Sequence, residues 1–226
     1  MATSLGIGGQ IVTDGLVLCL DAANKDSYPG SGTTWYDLSG NGYNATAAGS
    51  VGPTFNSSGY FEFTGGIVSQ NYSRFDTPTI PAQTDITVEV FYNPSSGWET
   101  VFRQAADDFH IRGGRVAAGN NYNDFALYPT AAEQHNGLGN WTFNALTWDS
   151  GLNLKFFKDG ILTKSGTRNS VDSDGVAASA IRIGTRNDAY AEHFVGSIAL
   201  FRMYSKALTA DEVLNNYNAT KSRFGL

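Results

Sequence analysis

The alternation of apolar and polar residues along most of the chain predicts a protein built from β-strands. Between 85 and 92, Ile86, Val88 and Val90 alternate with polar positions, which is the period of a strand with one buried face. The segment 16–21 is apolar on both faces, as expected for a strand inside a sandwich. Further strands are predicted at 59–64, 100–103, 109–112, 125–128, 141–148, 152–157, 161–163, 181–184 and 194–204.

Turn and cap residues complete this pattern. Asp159-Gly160 separates two strand segments, and such a pair supplies the positive φ angles that a tight hairpin needs. One helix is predicted near 210–218, where Thr209 and Glu212 have the spacing of a capping box. The sequence therefore predicts an all-β protein with a short helix near its C-terminal end.

No change of composition divides the chain, so residues 15–226 are predicted to form one sandwich that includes this helix. A chain of 226 residues is suited to one large β domain. Residues 1–14 are small and glycine-rich. They are interpreted either as a frayed terminus or as an arm that orders against a neighbouring subunit.

Composition narrows the possible functions. With 41% hydrophobic and 16% charged residues, the chain can form a large core and is not of a disordered type. The net charge is −6 and no basic run occurs, so no nucleic-acid partner is predicted. Cys19 is the single cysteine, which excludes an intrachain disulfide. We find neither a signal peptide nor an apolar run long enough for a bilayer, so we expect synthesis in a cytoplasm and no membrane partner.

A calcium site is one interpretation of the loop at 37–42. Asp37, Ser39 and Asn41 place side-chain oxygens at alternate positions before Gly42, as in the first half of an oxygen-ligand loop. The twelfth position is Ala48 rather than glutamate, so this is not an EF-hand. The alternative is a turn in which Asp37 and Asn41 bond nearby backbone amides.

A carbohydrate site is one interpretation of a polar loop that lies between predicted strands. Its candidate residues combine aromatic rings with amide and carboxylate groups: Trp98, Asn121, Tyr122, Asn123 and Asp124. A recognition loop on a rigid scaffold would have this composition. A solvated turn would have it as well, and both interpretations stay open.

Catalysis is not predicted. Glycoside hydrolysis requires two carboxyl groups on either side of the scissile bond. Glu89 lies on a predicted strand, but its same-face neighbours Thr87 and Phe91 are not acidic. The three histidines occur in unrelated segments, which gives no support to a nucleophilic triad or a zinc site.

Several segments taken together resemble laminin-G-like, concanavalin A-like lectin/glucanase domains, and in particular those in structural proteins of tailed bacteriophages. The resemblance covers nearly all of 15–226 and is carried by 15–22, 35–42, 59–66, 141–160 and 194–225. It implies a two-sheet antiparallel jelly-roll sandwich. It also implies calcium at a sandwich rim, with Asp37 and Asn41 as ligands. The Glu-x-Asp-x-x-Glu pattern of the glucanase relatives is missing from this sequence.

The resemblance implies a non-enzymatic virion structural protein, either a capsid decoration or a fibre or accessory protein. Its partners would be other virion proteins or copies of itself, including a trimer, with a cell-surface glycan as a further ligand. The alternatives are a carbohydrate-binding lectin for recognition of the host surface and a divergent glycan hydrolase. Such domains occur with several functions, so the fold alone does not choose among these.

Overall fold

The computed structural model is a sandwich of two antiparallel β-sheets with one short C-terminal helix, which confirms the predicted fold class. It describes residues 9–65, 72–97, 100–104, 109–113, 115–117, 126–151, 153–167, 177–187 and 190–226. The first nine strands are β1 (Leu16–Asp21), β2 (Thr34–Trp35), β3 (Ala45–Gly49), β4 (Thr54–Asn56), β5 (Tyr60–Phe63), β6 (Ser73–Asp76), β7 (Ile86–Pro94), β8 (Thr100–Gln104) and β9 (His110–Arg112).

The second half of the chain adds nine further strands and the helices. The strands are β10 (Arg115–Ala117), β11 (Ala126–Leu127), β12 (Thr142–Trp148), β13 (Asn153–Lys158), β14 (Ile161–Thr167), β15 (Ile181–Ile183), β16 (Thr185–Asn187), β17 (Tyr190–His193) and β18 (Gly196–Tyr204). The helices are α1 (Ala131–Gln134), α2 (Ala210–Thr220) and a 3-10 turn (Lys221–Phe224).

The two sheets contain strands that are distant in sequence. One sheet has the order β14-β13-β12-β7-β18-β5-β4, with β1 also paired to β18. The other has the order β11-β10-β9-β8-β15-β6-β3-β2, and β16 and β17 form a separate hairpin. The long central strands β7 and β18 pair side by side, so residues more than 100 positions apart become neighbours. This pairing positions the candidate site described below.

The core between the sheets is rich in aromatic rings. Phe61 lies at its centre, with ring centroids 4.7 Å from Tyr28, 4.9 Å from Trp35 and 4.8 Å from Phe75. Trp35 and Trp148 are buried. Trp141 is only half-buried, because it packs on the outer side against Phe224, with a centroid distance of 4.7 Å, rather than between the sheets.

A second apolar cluster lies on the outer face of the first sheet, under α2. Its members are Phe91, Phe143, Ala145, Phe157, Leu200, Tyr204, Leu208 and Val213. The capping box predicted for the helix is confirmed: Thr209 Oγ1 accepts from the Glu212 backbone, and Glu212 Oε2 accepts from the Thr209 backbone. The cap fixes where the helix begins, and Val213 anchors its apolar side to the sheet.

Local details agree with the sequence to within a few residues. The hairpin between β13 and β14 has Asp159 at φ 51° and Gly160 at φ 79°, the positive values expected for the Asp-Gly turn. The helix extends to Thr220, two residues beyond the predicted end. The short helix α1, which has its own capping box at Thr130 and Glu133, was not predicted.

Candidate functional site

A polar network is enclosed between the outer face of the first sheet and α2. Glu89 on β7 and Arg202 on β18 are paired neighbours, and their side chains are 0% and 3% exposed. Arg202 Nη1 donates to Glu89 Oε2 at 3.1 Å. Asn216 of α2 donates to Glu89 Oε1 at 2.9 Å and to the Tyr204 hydroxyl at 3.0 Å. The helix therefore closes over a buried ion pair and supplies one of its hydrogen bonds.

The buried pair has a large desolvation cost. Burial raises the pKa of the Glu89 carboxyl, while the charge of Arg202 and the bond from Asn216 act to lower it. The hydrogen bonds on both carboxylate oxygens compensate part of that cost. Asn216 also accepts from the Val12 backbone at 2.8 Å, so the segment before β1 is attached to the same network.

Beside this network is a cleft of about 470 Å³, here called the arm–helix cleft. Its floor is formed by β1 and β18 through Cys19, Asp21 and Arg202, and its walls by Ile11 of the N-terminal segment and by Ala219 of α2. Clefts of this size suit small organic ligands. The cleft forms where three segments from the two ends of the chain meet.

The polar groups of this cleft differ in accessibility. Arg202 Nε is fully buried, and the guanidinium lies beside the Cys19 thiol on the cleft floor. The Lys25 ammonium is exposed at the rim and makes no ion pair with any residue of the described ranges. Asn24 accepts from the Asp26 backbone through Oδ1 at 2.9 Å, which leaves its amide nitrogen for another acceptor. A ligand that accepts hydrogen bonds would find its donors at this rim, on Lys25 and Asn24.

The carboxylates at the cleft are already engaged. Arg223 donates to both oxygens of Asp21, at 2.7 and 2.8 Å, in a bidentate pair. Glu89 is held by Arg202 and Asn216. A general acid or base needs a carboxyl group within reach of the substrate. The arrangement at this cleft is therefore suited to binding rather than to proton transfer.

Cys19 is an unreactive part of the floor. Its side chain is buried beside Arg202, and burial raises the pKa of the thiol to about 11. The thiolate is the nucleophilic form of cysteine, and it is scarce at neutral pH when the pKa is this high. Cys19 therefore acts as a small packing group.

A second cleft, of about 290 Å³, adjoins the first and is here called the Tyr28 cleft. Ala23 and Lys25 line both clefts. The rings of Tyr28 and Phe55, whose centroids are 4.7 Å apart, line the second cleft together with the exposed Ser58. Along the two clefts the Lys25 ammonium is exposed, Phe55 is half-buried and the Tyr28 ring is buried.

The loop proposed for calcium is tightly hydrogen-bonded. Asp37 Oδ1 accepts from the backbones of Cys19 and Ser39, both at 2.9 Å. Its Oδ2 accepts from Ser39 Oγ at 2.7 Å and from the Tyr43 backbone at 3.1 Å. Asn41 donates to the Val17 carbonyl at 2.9 Å. These are the contacts of the turn interpretation, and calcium binding by Asp37 and Asn41 stays a prediction.

Within the described residues, no group of three or more histidine, cysteine, aspartate or glutamate side chains is placed to hold a metal ion. The same residues contain no helix with the length and apolar character needed to cross a membrane. The residues proposed for carbohydrate binding lie outside the described ranges: Trp98, Asn121, Tyr122, Asn123 and Asp124.

The sequence alone did not reveal the arm–helix cleft. Its floor depends on the register between β7 and β18, which brings Glu89 next to Arg202, and on the docking of α2. One local signal was present, since Glu89 and Arg202 each interrupt an apolar central strand with a charge. Charges at such positions are paired when they are buried, and a pairing partner could have been sought on this basis.

The chain resembles known proteins in sequence family and in fold. The family model described as the concanavalin A-like lectin/glucanases superfamily, Laminin_G_3, matches residues 64–214. No curated protein matches the chain in sequence.

Among solved structures, the binding domain of botulinum neurotoxin DC in complex with SialylT has a TM-score of 0.63 at 16% identity, covering 91% of this chain and 52% of that one. The same domain in complex with rat synaptotagmin II has a TM-score of 0.63 at 16% identity, covering 92% and 52%. A structure of botulinum neurotoxin type C, a toxin whose cell entry depends upon interaction with two ganglioside molecules, has a TM-score of 0.61 at 15% identity, covering 91% and 51%.

At these identities the solved structures show a shared fold, and the chain spans about half the length of each of them. The family model, in contrast, covers 151 of the 226 residues and includes most of both sheets. The chain belongs to the concanavalin A-like lectin/glucanase superfamily, in its laminin-G-like branch.

Proposed function

We propose that the chain is a non-catalytic ligand-binding protein of a tailed-phage virion. Its sandwich would be displayed as a capsid decoration or as part of a fibre or accessory protein. The placement on a virion is supported by the sequence resemblance along 15–226, and the binding role by the family and by the arm–helix cleft.

The non-catalytic role is proposed because the carboxylates at the cleft already accept hydrogen bonds from other side chains. Glycoside hydrolysis needs one carboxyl group as acid and a second as nucleophile or base. At the arm–helix cleft, Glu89 and Asp21 each pair with an arginine. The other described glutamates, Glu62, Glu133, Glu192 and Glu212, also accept hydrogen bonds from neighbouring side chains or backbone.

The partners in a particle would be other virion proteins or copies of this chain, including a trimer. Strand β14 is an edge of the first sheet and exposes Ile161 and Leu162, which are 66% and 45% accessible. Exposed apolar edge strands are sites where another chain can add. Repeated copies on a particle would allow weak contacts to act through avidity.

A carbohydrate-binding lectin for host-surface recognition is the second candidate, and the Tyr28 cleft favours it. Aromatic rings beside hydroxyl groups provide an amphipathic surface of the kind that polar ligands use. The neurotoxin domains of similar fold are known in complex with SialylT and with synaptotagmin II, and cell entry of one of these toxins depends on gangliosides. Because the chain matches only about half of each, those ligands are not assigned to it.

Three experiments test the proposal. Antiserum against the chain should label intact particles of the phage that encodes it, and light scattering should give a stable oligomer such as a trimer. A glycan array with bacterial polysaccharides should show binding without release of reducing ends. Absence of the chain from purified particles would overturn the virion role, and release of reducing ends that Glu89→Gln abolishes would establish a hydrolase instead.

A further inference from the structure

We propose that the loop between β2 and β3, residues 36–44 and here called the guard loop, closes the free edge of β1 against strand addition by a second copy of the chain. One side of β1 pairs with β18, from Leu16 to Asp21. Among the described residues, no strand pairs with its other side. The inference concerns association between chains and does not rest on the proposed ligand-binding role.

The free side of β1 has backbone groups that a further strand would bind. Neighbouring residues of a strand direct their N–H and C=O groups to opposite sides, so Val17, Cys19 and Asp21 present theirs here. Such a row of groups is a template for pairing with another chain. The run 16–20 is apolar throughout and has neither charge nor proline, which is the composition of segments that pair with copies of themselves. The best-matched partner for this edge is therefore β1 of a second copy.

The guard loop bonds to this edge as a strand would. The Cys19 amide donates to Asp37 Oδ1 at 2.9 Å, and the Cys19 carbonyl accepts from the Leu38 amide at 2.8 Å. In an antiparallel pair, one residue exchanges the same two bonds with its partner. The Asp37 carboxylate here replaces the carbonyl of a strand, so the position of a further strand is already occupied.

Side chains bond the remaining groups of the edge. Ser39 Oγ and Asn41 Nδ2 donate to the Val17 carbonyl, at 2.8 and 2.9 Å. The Asp21 amide donates to Ser27 Oγ at 3.1 Å. An incoming strand would have to displace these contacts before it could pair with β1.

Asp37 connects the edge to the base of the guard loop. Its Oδ2 accepts from the Tyr43 backbone at 3.1 Å, and its backbone amide donates to Asn44 Oδ1 at 2.9 Å. The strands before and after the loop, β2 and β3, pair with each other in the second sheet. The loop thus reaches from the second sheet to the edge of the first, and replacement of Asp37 should release it from that edge.

Asp37→Ala tests the guard directly, because it removes the acceptor of the Cys19 amide. In dilute solution, hydrogen exchange of this amide, followed by nuclear magnetic resonance of the full chain, should be at least about tenfold faster than in the wild type. At higher concentration the variant should associate beyond the state of the wild type, as measured by light scattering. The Cys19 amide should then regain protection, since a strand of the second copy accepts its hydrogen bond.

Two matched variants and one internal amide are the controls. Asp26→Ala removes an exposed aspartate in the turn after β1, and its exchange and association should equal those of the wild type. Asp37→Asn keeps a side-chain oxygen within reach of Cys19, so it should associate less than Asp37→Ala. The Val90 amide in the central strand β7 reports unfolding of the whole domain and should stay protected in every variant.

A second variant covers the case in which Asp37→Ala does not fold, which loss of protection at Val90 would reveal. The double variant Ser39→Ala/Asn41→Ala frees the Val17 carbonyl and leaves the Asp37 carboxylate in place. It should associate through the same edge, but less than a folded Asp37→Ala.

Three results would overturn the inference. If the folded variants show no association beyond that of the wild type at concentrations up to about 1 mM, the loop is a turn without a guarding role. Association that leaves the Cys19 amide unprotected would place the contact at another surface. Equal association of Asp26→Ala would show that it does not depend on the edge of β1.

Discussion

Replacement of Asn216 by alanine tests whether the polar network beneath α2 stabilises the fold. The side chain is completely buried and makes three hydrogen bonds: to Glu89 Oε1 at 2.9 Å, to the Tyr204 hydroxyl at 3.0 Å and from the Val12 backbone at 2.8 Å. A bond to a charged group contributes about 1.5–3 kcal/mol and a neutral one about 0.5–1.5 kcal/mol. Asn216→Ala should therefore lower the free energy of unfolding by about 3 kcal/mol or more.

Asn215→Ala is the matched control, because Asn215 is adjacent in the same helix and makes an exposed hydrogen bond to the Gln10 carbonyl at 2.9 Å. Its loss should change stability by no more than about 0.5 kcal/mol. Urea unfolding followed by tryptophan fluorescence measures both variants. If the two lose the same stability within about 0.5 kcal/mol, the network does not stabilise the fold and the reasoning fails.

The same variant has a predicted pH dependence. A carboxyl group whose pKa is raised on folding destabilises the native state increasingly as the pH rises from its unfolded pKa through its folded pKa. Burial raises the pKa of Glu89, and the bond from Asn216 opposes that rise. Removing Asn216 should raise this pKa further, so the stability lost in Asn216→Ala should shrink as the pH falls and Glu89 becomes protonated in the native state.

Three further predictions concern the cap, the cleft floor and the calcium loop. Thr209→Ala should destabilise the protein by about 1 kcal/mol in urea unfolding, since Thr209 caps α2; an unchanged midpoint would refute the cap. Cys19 should not react with a thiol reagent at pH 8 in the native protein. With a pKa of about 11, only about one Cys19 side chain in a thousand is a thiolate at this pH. Rapid labelling without denaturant would contradict its burial. If Asp37 holds calcium, added calcium should raise the melting temperature of the wild type but not that of Asp37→Ala. Equal melting temperatures of the wild type with and without calcium would assign Asp37 to the turn alone.

The features that the sequence predicted are those with local causes. The strand β7 and the capping box at Thr209 were predicted from residues two or three positions apart, and both occur in the structure, although β7 is buried on both faces rather than on one. The hairpin at Asp159 is likewise set by the residues of the turn. Local geometry determines such elements before any tertiary contact forms.

The clefts could not be predicted because they depend on contacts between distant parts of the chain. Arg202 lies beside Glu89 through strand pairing, at a sequence separation of 113, and Asn216 reaches Glu89 across 127 positions. Trp141 shows the same limit: it begins the predicted strand 141–148, and the docking of Phe224 leaves it half-buried on the outer side. Periodicity identifies the faces of a strand but not what covers them.

The buried ion pair connects stability with the proposed binding role. A buried Glu–Arg pair stabilises a fold no better than well-packed apolar residues of similar size, because both charges lose their hydration. Around the pair, Phe91, Leu200 and Val213 pack under α2 together with the buried polar side chains of Thr87 and Asn216. What the pair adds is a connection between three elements, because Glu89 on β7 accepts from Arg202 on β18 and from Asn216 on α2. Removing any one of these contacts leaves a buried charge without full compensation, so the pair determines where α2 docks on the sheet. The cleft wall at Ala219 depends on that docking, and in this way the pair that costs hydration positions the cleft.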